Sequence, residues 1–356
     1  MGLLLGMAAG QTIYGQTNQE KALEKGMAAI ELMDNGKITE SIDLLEEAKK
    51  LDPDNINYPY EIAYAYYALE DYKKAAKLLE PLLKHKDVTD RVYQLLGNSY
   101  DILGKSDKAI ETYEAGLLLF PNSGNLYLEL GVMQMGKNDY NKALDYYEKG
   151  IEVAPGFSSN YYWAAKIYCA STEEVWGMMY GEIFMNLERN SKRTVEISKL
   201  LYDTYKSQIS FTSDTSFTVS FSKNATINID QISDPNHMKL PYGISVYEPT
   251  LMFSMVTVKS INMESLHQIR TNFMHLYFSN GHDKTYPNVL FSFQKKIEEA
   301  GHLEAYNHWI LMKGDEDGFD TWQAANKEKW DNFLKWFVEN GLKINEANKF
   351  YRAQYN

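Results

Sequence analysis

The sequence predicts a mostly all-α fold: a stack of about five helix–turn–helix units, then further helices, with a short β-hairpin possible between the two regions. Three observations carry this. Pro53, Pro121 and Pro155 recur in one phase of a 34-residue step, with Asp87 in the remaining slot. With that slot set as position 32, small residues fall at position 8 (Ala63, Gly97 and Gly131, with Ala28 one place short of it in the first unit) and position 20 (Ser41, Ala75, Ala109, Ala143). Large apolar or aromatic residues fall at position 7 (Ile62, Leu96 and Leu130, with Met27 one place short of it in the first unit) and position 24 (Leu45, Leu79, Tyr113, Tyr147).

Small residues at fixed places let two helix backbones approach, large ones fill the seam, and a breaker closes each unit. This pattern resembles the tetratricopeptide repeat. The resemblance implies a non-catalytic scaffold that holds a peptide or a partner's helix on its curved inner wall, and it leaves the ligand unnamed.

The chain has 356 residues, enough for one or two folded units, with 44% apolar and 24% charged residues. A formal net charge of −12 argues against nucleic acid, which needs a Lys/Arg stripe to replace phosphate counterions. It argues equally against an anionic membrane surface. Tyrosine is abundant, at 27 residues, and suits partly wet surfaces. Cys169 is the single cysteine, so neither an internal disulfide nor a cysteine zinc site is available.

Residues 3–9 form an apolar run far too short to span a bilayer. Small and polar residues follow through Gly15. Although no Lys or Arg precedes the run, the pattern predicts a signal peptide over residues 1–15 and a periplasmic or secreted protein.

Residues 20–206 are predicted to hold the repeats and their capping helices. The first pair carries apolar residues at Leu23, Met27, Ile30 and Met33, spaced four, three and three, turns at Asn35-Gly36, and continues through Ile42, Leu45 and Ala48. In the second pair, Pro81 should shorten or kink the second helix, because it lacks an N–H and clashes with the preceding turn. The third and fourth pairs turn at Leu103-Gly104-Lys105 and Gly136-Lys137-Asn138. A fifth starts at Ser158, with Tyr161, Ala164, Ala165 and Tyr168 in phase. Beyond it the pattern fades, and Glu173 to Asn190 reads as an elongated capping helix with one face uncovered. Ser191 then caps a further helix to about Lys206.

Residues 207–240 are read as a linker or hairpin. Ile209 to Phe221 alternates polar and apolar residues, Lys223-Asn224 marks a turn, and Ala225 to Ile229 supplies a second strand. Residues 241–356 return to helical patterning. Pro249 and Pro287 open helices, Met263 to Ser279 forms one, and His302 to Lys313 another. Asp315 to Asn340 is one kinked helix or two, burying Phe319, Trp322, Trp330, Phe333 and Phe337.

The family resemblance places positions 2, 5, 9 and 12 of each first helix on the inner wall. This predicts a groove of Asn57, Tyr60, Tyr64 and Tyr67, then Arg91, Gln94, Asn98 and Asp101, then Asn125, and finally Tyr162 and Lys166. Packing between neighbouring helices is the alternative use of these tyrosines, and the favoured one for Tyr66. Leu23, Gly26, Ile30 and Met33 take these positions in the first unit, so the carboxylate clamp of some family members is not reproduced.

No catalytic constellation or cofactor site stands out, and no enzyme is expected. His302 and His308 are six residues apart, unlike a helical zinc pair. The acidic run from Asp315 to Asp320 lacks the spacing of a calcium loop and reads as a helix start favourable to the dipole. Cys169 reads as a structural thiol. Trp309, Trp322, Trp330 and Trp336 read as core. The competing hypothesis gives the C-terminal half an enzymatic or carbohydrate-binding role, with the repeats only positioning it.

Overall fold

Thr17 opens the first helix, α1 (Asn18–Asp34), with a capping box: its hydroxyl accepts the Glu20 N–H, and Glu20 accepts the N–H of Thr17. The structure, a computed structural model, describes residues 16–213, 216–223 and 240–355. The predicted signal peptide and the predicted second strand, Ala225 to Ile229, lie outside the described residues. The chain divides into two compact units, residues 1–120 and 121–356.

In the first unit, α1 pairs with α2 (Ile38–Leu51), α3 (Asn57–Ala68) with α4 (Tyr72–Leu79), and α5 (Asp90–Ile102) with α6 (Ser106–Leu119). Pro81 acts as expected: α4 stops at eight residues and a 3₁₀ turn, Glu80–Lys84, carries the proline near its start. The second unit begins with two more pairs, α7 (Gly124–Gly136) with α8 (Tyr140–Val153) and α9 (Ser158–Cys169) with α10 (Glu174–Leu187).

The turn inside each of the first four pairs uses one device. Gly36, Glu70, Gly104 and Asn138 share one phase of the repeat, and all four have positive φ, between 58° and 77°. Each closes a Schellman motif, as when Gly36 N–H donates to Met33 and Lys37 N–H to Leu32. Glycine meets this demand at no steric cost, whereas Glu70 does not.

The small–large seam is matched in size from repeat to repeat. A Cβ added to Gly97 would lie 2.1 Å from Tyr113 Cε1, and one added to Gly131 would lie 2.2 Å from Tyr147 Cε1. Where position 8 is alanine, position 24 is leucine instead, as in Ala63 and Leu79. The first repeat corrects the expected register by one or two residues. Ala22, Gly26 and Ala29 are its buried residues, while Leu23, Met27, Ala28 and Ile30 are exposed. The small residues set the contact, since a Cβ on Gly26 would stand 2.9 Å from the Tyr58 ring.

The elongated capping helix is not found. α10 begins one repeat after α8, and α11 (Lys192–Gln208) one repeat after α9, so the helical rhythm persists where the residue pattern fades. Gly177 still serves as the small residue: a Cβ there would stand 2.5 Å from Cys169 Sγ. Thirteen residues of α10 are buried, as suits a helix that is apolar all round. One core runs from Ala143 to Tyr355 around it, so the predicted boundary at 206–240 falls inside the second unit.

Strands β1 (Ile209–Ser213) and β2 (Ser216–Val219) pair antiparallel. The chain therefore reverses inside the alternating run rather than at Lys223-Asn224. Pairing Phe211 with Phe217 sets their rings 6.1 Å apart on one face.

A π-helical turn, Gly243–Tyr247, leads into α12 (Glu248–Ser254). Then come α13 (Met263–Ser279), α14 (His282–Thr285), α15 (Val289–Glu299), α16 (Leu303–Leu311), α17 (Glu316–Ala325) and α18 (Lys327–Asn340). The chain breaks at Asn326, making two helices of the predicted one or two. The tail returns to the repeats. Leu342, Ile344, Phe350 and Tyr355 are buried, and the Arg352 guanidinium donates to both Glu148 oxygens of α8 at 3.0–3.1 Å.

Candidate functional site

In the first unit, the predicted groove residues follow α3 and α5. Asn57 sits exposed at the start of α3. Tyr60 is buried, because the Arg91 guanidinium lies 4.6 Å above its ring. Arg91 also stands 3.7 Å from the Glu61 carboxylate. Burial pushes the Glu61 carboxyl above its ordinary value, and Arg91 only partly opposes this. One turn on, Tyr64 is 42% exposed. Tyr67 is half-buried, edge-on to Tyr72 at 5.1 Å.

On α5, Gln94, Asn98 and Asp101 are half-buried. The Tyr113 hydroxyl donates to Asn98 Oδ1 at 2.5 Å, and the Ser106 hydroxyl donates to Asp101 at 3.2 Å. Asn98 and Asp101 thus help brace the fold. Of the predicted residues in this unit, Asn57, Tyr64 and Arg91 reach solvent most fully. Leu23 and Ile30, at the same positions of the first unit, and Met27 join them, at 59%, 45% and 64% exposed. The spacing of Ala22, Gly26 and Ala29 was the signal that these larger side chains face outward.

The second unit uses its predicted residues differently. Asn125 is half-buried on α7. Tyr162 is buried, its hydroxyl donating to Glu196 of α11. Lys166 Nζ lies 2.6 Å from the same carboxylate. Burial works against ionisation of Glu196, but the hydrogen bonds from Lys166 and Tyr162 outweigh it and hold its carboxyl below the ordinary value. Arg193, 5.0 Å from the Tyr162 ring, donates to Ser159 at 3.0 Å. Tyr162 and Lys166 therefore pair with the chain itself.

The same unit contains a buried polar cluster that sequence reading missed. Arg270 donates to both Glu182 oxygens, at 2.8 and 2.6 Å, and to Asn307 at 2.7 Å. Gln294 and Tyr306 donate to Glu182 at 2.6 and 2.8 Å. Burial lowers the Arg270 pKa, yet the Glu182 carboxylate raises it more, so the guanidinium stays charged. The cavity beside it is about 20 Å³, room for one water and no sugar. These residues come from α10, α13, α15 and α16, and no local spacing relates them.

Of the remaining chemical candidates, His308 is buried, and Cys169 and Asp315 are half-buried. Burial pushes the Cys169 thiol up to about 12, which keeps it protonated and unreactive. His308 stacks on Trp322 at 4.1 Å. Asp315 caps α17 by accepting the Gly318 N–H. Among the described residues, no group of three or more His, Cys, Asp or Glu could hold a metal. No helix among them is long and apolar enough to cross a membrane.

Nested helix pairs with a constant turn and a graded small–large seam define a helical-repeat protein. Models of the tetratricopeptide repeat match residues 32–98, 90–123 and 124–157, and the chain carries tetratricopeptide repeats over this stretch. It is 29% identical over 111 residues to BBSome complex member BBS4 of Bos taurus, covering 31% of this chain and 21% of that one. It is 28% identical over 115 residues to anaphase-promoting complex subunit 3 of Dictyostelium discoideum, covering 32% of this chain and 11% of that one. A TPR repeat-containing protein of Methanocaldococcus jannaschii is 35% identical over 88 residues, 24% of this chain and 27% of the relative. The chain thus spans about a quarter or less of these relatives' lengths.

Among solved structures, PilF of Pseudomonas aeruginosa superposes with a TM-score of 0.45 at 16% identity, covering 53% of this chain and 85% of the other. A thermophilic TPR protein of Thermus thermophilus gives 0.44 at 14% identity, covering 51% of this chain and 98% of the other.

Proposed function

We propose that this protein is a non-catalytic interaction scaffold that holds a peptide or protein partner on the inner wall of its repeats, principally in the first unit. The observation that carries this reading is Tyr64. A large aromatic side chain stands 42% exposed on the helix that also carries exposed Asn57, and Arg91 of the next pair is exposed as well. Aromatic and arginine side chains that are anchored yet reach solvent are the usual centres of binding energy at interfaces. Gln94 and Asn98 contribute polar edges. Tyr162 and Lys166 are left out of the contact surface, since each is tied to Glu196. The net charge of −12 supports a protein partner over nucleic acid.

The test is affinity capture with the full chain and with Asn57→Ala, Tyr64→Ala and Arg91→Ala. Capture should fall about tenfold or more for Tyr64→Ala and Arg91→Ala. Equal capture by all the proteins defeats the proposal. A sugar-binding or enzymatic C-terminal half would have to use the open depression of about 580 Å³ lined by Glu264, His308, Asp315 and Trp322, since the cavity beside Glu182 holds only a water.

The apolar run at residues 3–9 supports export to the periplasm or beyond, with cleavage after Gly15. Fractionation and the mass of the mature N-terminus test this. A cytoplasmic protein that retains Met1 removes it.

A further inference from the structure

The first helix carries a surface of a different kind, and its use for docking rests on reading the first unit's wall as an interaction face. Leu23, Met27 and Ile30 lie at i, i+4 and i+7, forming one stripe along α1. All three are exposed, at 59%, 64% and 45%. The same positions of the next repeat hold Asn57, Glu61 and Tyr64, so this stripe is not a general feature of the repeats.

Around it stand carboxylates. Glu24, Glu31 and Asp34 are exposed and form no ion pair among the described residues. Glu24 accepts only a 3.5 Å bond from Gln16, while Lys25 turns away to Glu47 at 2.6 Å. Glu31 and Asp34 sit in the last turn of α1, which holds no basic residue. The negative end of the helix dipole disfavours anions there. An apolar stripe in water, edged by carboxylates that oppose their own helix, is complementary to something apolar and cationic.

We infer that α1 docks a basic amphipathic helix of a partner protein. Its apolar side chains cover Leu23, Met27 and Ile30, and its Lys or Arg residues meet Glu24, Glu31 and Asp34. A second copy of α1 is a poorer fit, because it brings the same carboxylates together.

The full chain is titrated with two labelled helical peptides of about 18 residues, long enough to present an i, i+4, i+7 stripe. They share one apolar stripe and differ only in Lys or Glu flanks. The Lys peptide is expected to bind about tenfold tighter or better, and to weaken as salt screens the rim. Met27→Glu should lower its affinity more than about tenfold. The triple variant Glu24→Gln, Glu31→Gln, Asp34→Asn should remove the salt dependence. These sites are exposed, and unchanged circular dichroism verifies folding.

Equal affinity for both peptides, or no binding, overturns the inference. So does binding seen only after removal of residues 1–15, which gives the stripe to that segment, or a dimer that Met27→Glu dissociates, which gives it to a second copy. If Tyr64→Ala and Arg91→Ala abolish partner capture while both peptides bind alike, the wall is an interaction surface and this inference alone fails. If capture ignores Tyr64 and Arg91 while the peptides discriminate, the reading built on those two residues fails and the α1 site stands.

Discussion

Tyr60 in the first unit and Tyr162 in the second hold the same place in their repeats, and each lies under an arginine one repeat further on, Arg91 at 4.6 Å and Arg193 at 5.0 Å. Four residues along, they part. Tyr64 is exposed, whereas Lys166 is bonded to Glu196 at 2.6 Å. The second unit adds to this a buried Glu182–Arg270 pair and a tail that returns to Glu148. One repeat geometry thus supports two uses. Side chains at equivalent points stay open to solvent where the next helix offers no counter-charge, and hold the fold together where it does.

The largest expected effect lies in the second unit. Glu182→Leu strands Arg270 in the core and should cost about 3–5 kcal/mol, seen as a lower denaturation midpoint. Replacing Arg270 by Met as well should recover most of the loss, because no unpaired charge then remains. Comparable instability in the double variant would mean that the cluster's shape, rather than its charge balance, matters.

The size-matched seam should be nearly as sensitive in both units. Gly97→Ala and Gly131→Ala push a Cβ into Tyr113 and Tyr147, at a cost of about 1–3 kcal/mol each. Adding Tyr147→Leu to Gly131→Ala recreates the alanine–leucine combination of the second repeat. A double-mutant cycle should show that the two changes are coupled; additive losses would remove the size-matching argument.

Acid should separate Glu61 from Glu196. The Glu61 carboxyl lies above the ordinary 4.5, chiefly through burial, so its contribution favours folding below the unfolded value and is lost as pH rises through the folded one. Glu196 lies below 4.5: burial opposes its ionisation, but Lys166 and Tyr162 prevail. Its contribution is present above the unfolded value and lost as pH falls through the folded one. Carboxyl carbon NMR should place the Glu61 midpoint above that of Glu196. The reverse order breaks the contrast.

The smallest effect belongs to the turn. Glu70 has φ 63° where two other repeats use glycine, and Glu70→Gly should raise stability by about 0.5–1 kcal/mol, the relief of left-handed strain less the added unfolded-state freedom. A thermal melt resolves this, and a loss of stability would contradict the turn analysis.

Much of the first unit was legible because its determinants are local. Met33 to Lys37 contains a complete turn, and Pro81 shortens a helix by an effect within one turn. The misreading of Met27 and Ala28 on α1 is instructive. Leu23, Met27 and Ile30 satisfy an apolar period as well as a buried face would, and only the approach of Tyr58 to Gly26 selects the smaller residues. The fading of the pattern after Ser158 reflects the richly apolar α10, whose burial on every side replaces the usual alternation with a continuous run.

The sequence alone determined the 34-residue rhythm, the small–large seam and the positions from which side chains can reach the wall. All of these depend on groups one or two helical turns apart, or on a fixed step along the chain. Tertiary structure decided which of those side chains remain open. Glu196 takes Tyr162 and Lys166, and Arg352 reaches back to Glu148. Arg270 finds Glu182 across 88 positions of sequence. Charge and hydrogen-bond satisfaction at such separations follow from how whole helices are brought together, and no short-range spacing encodes them.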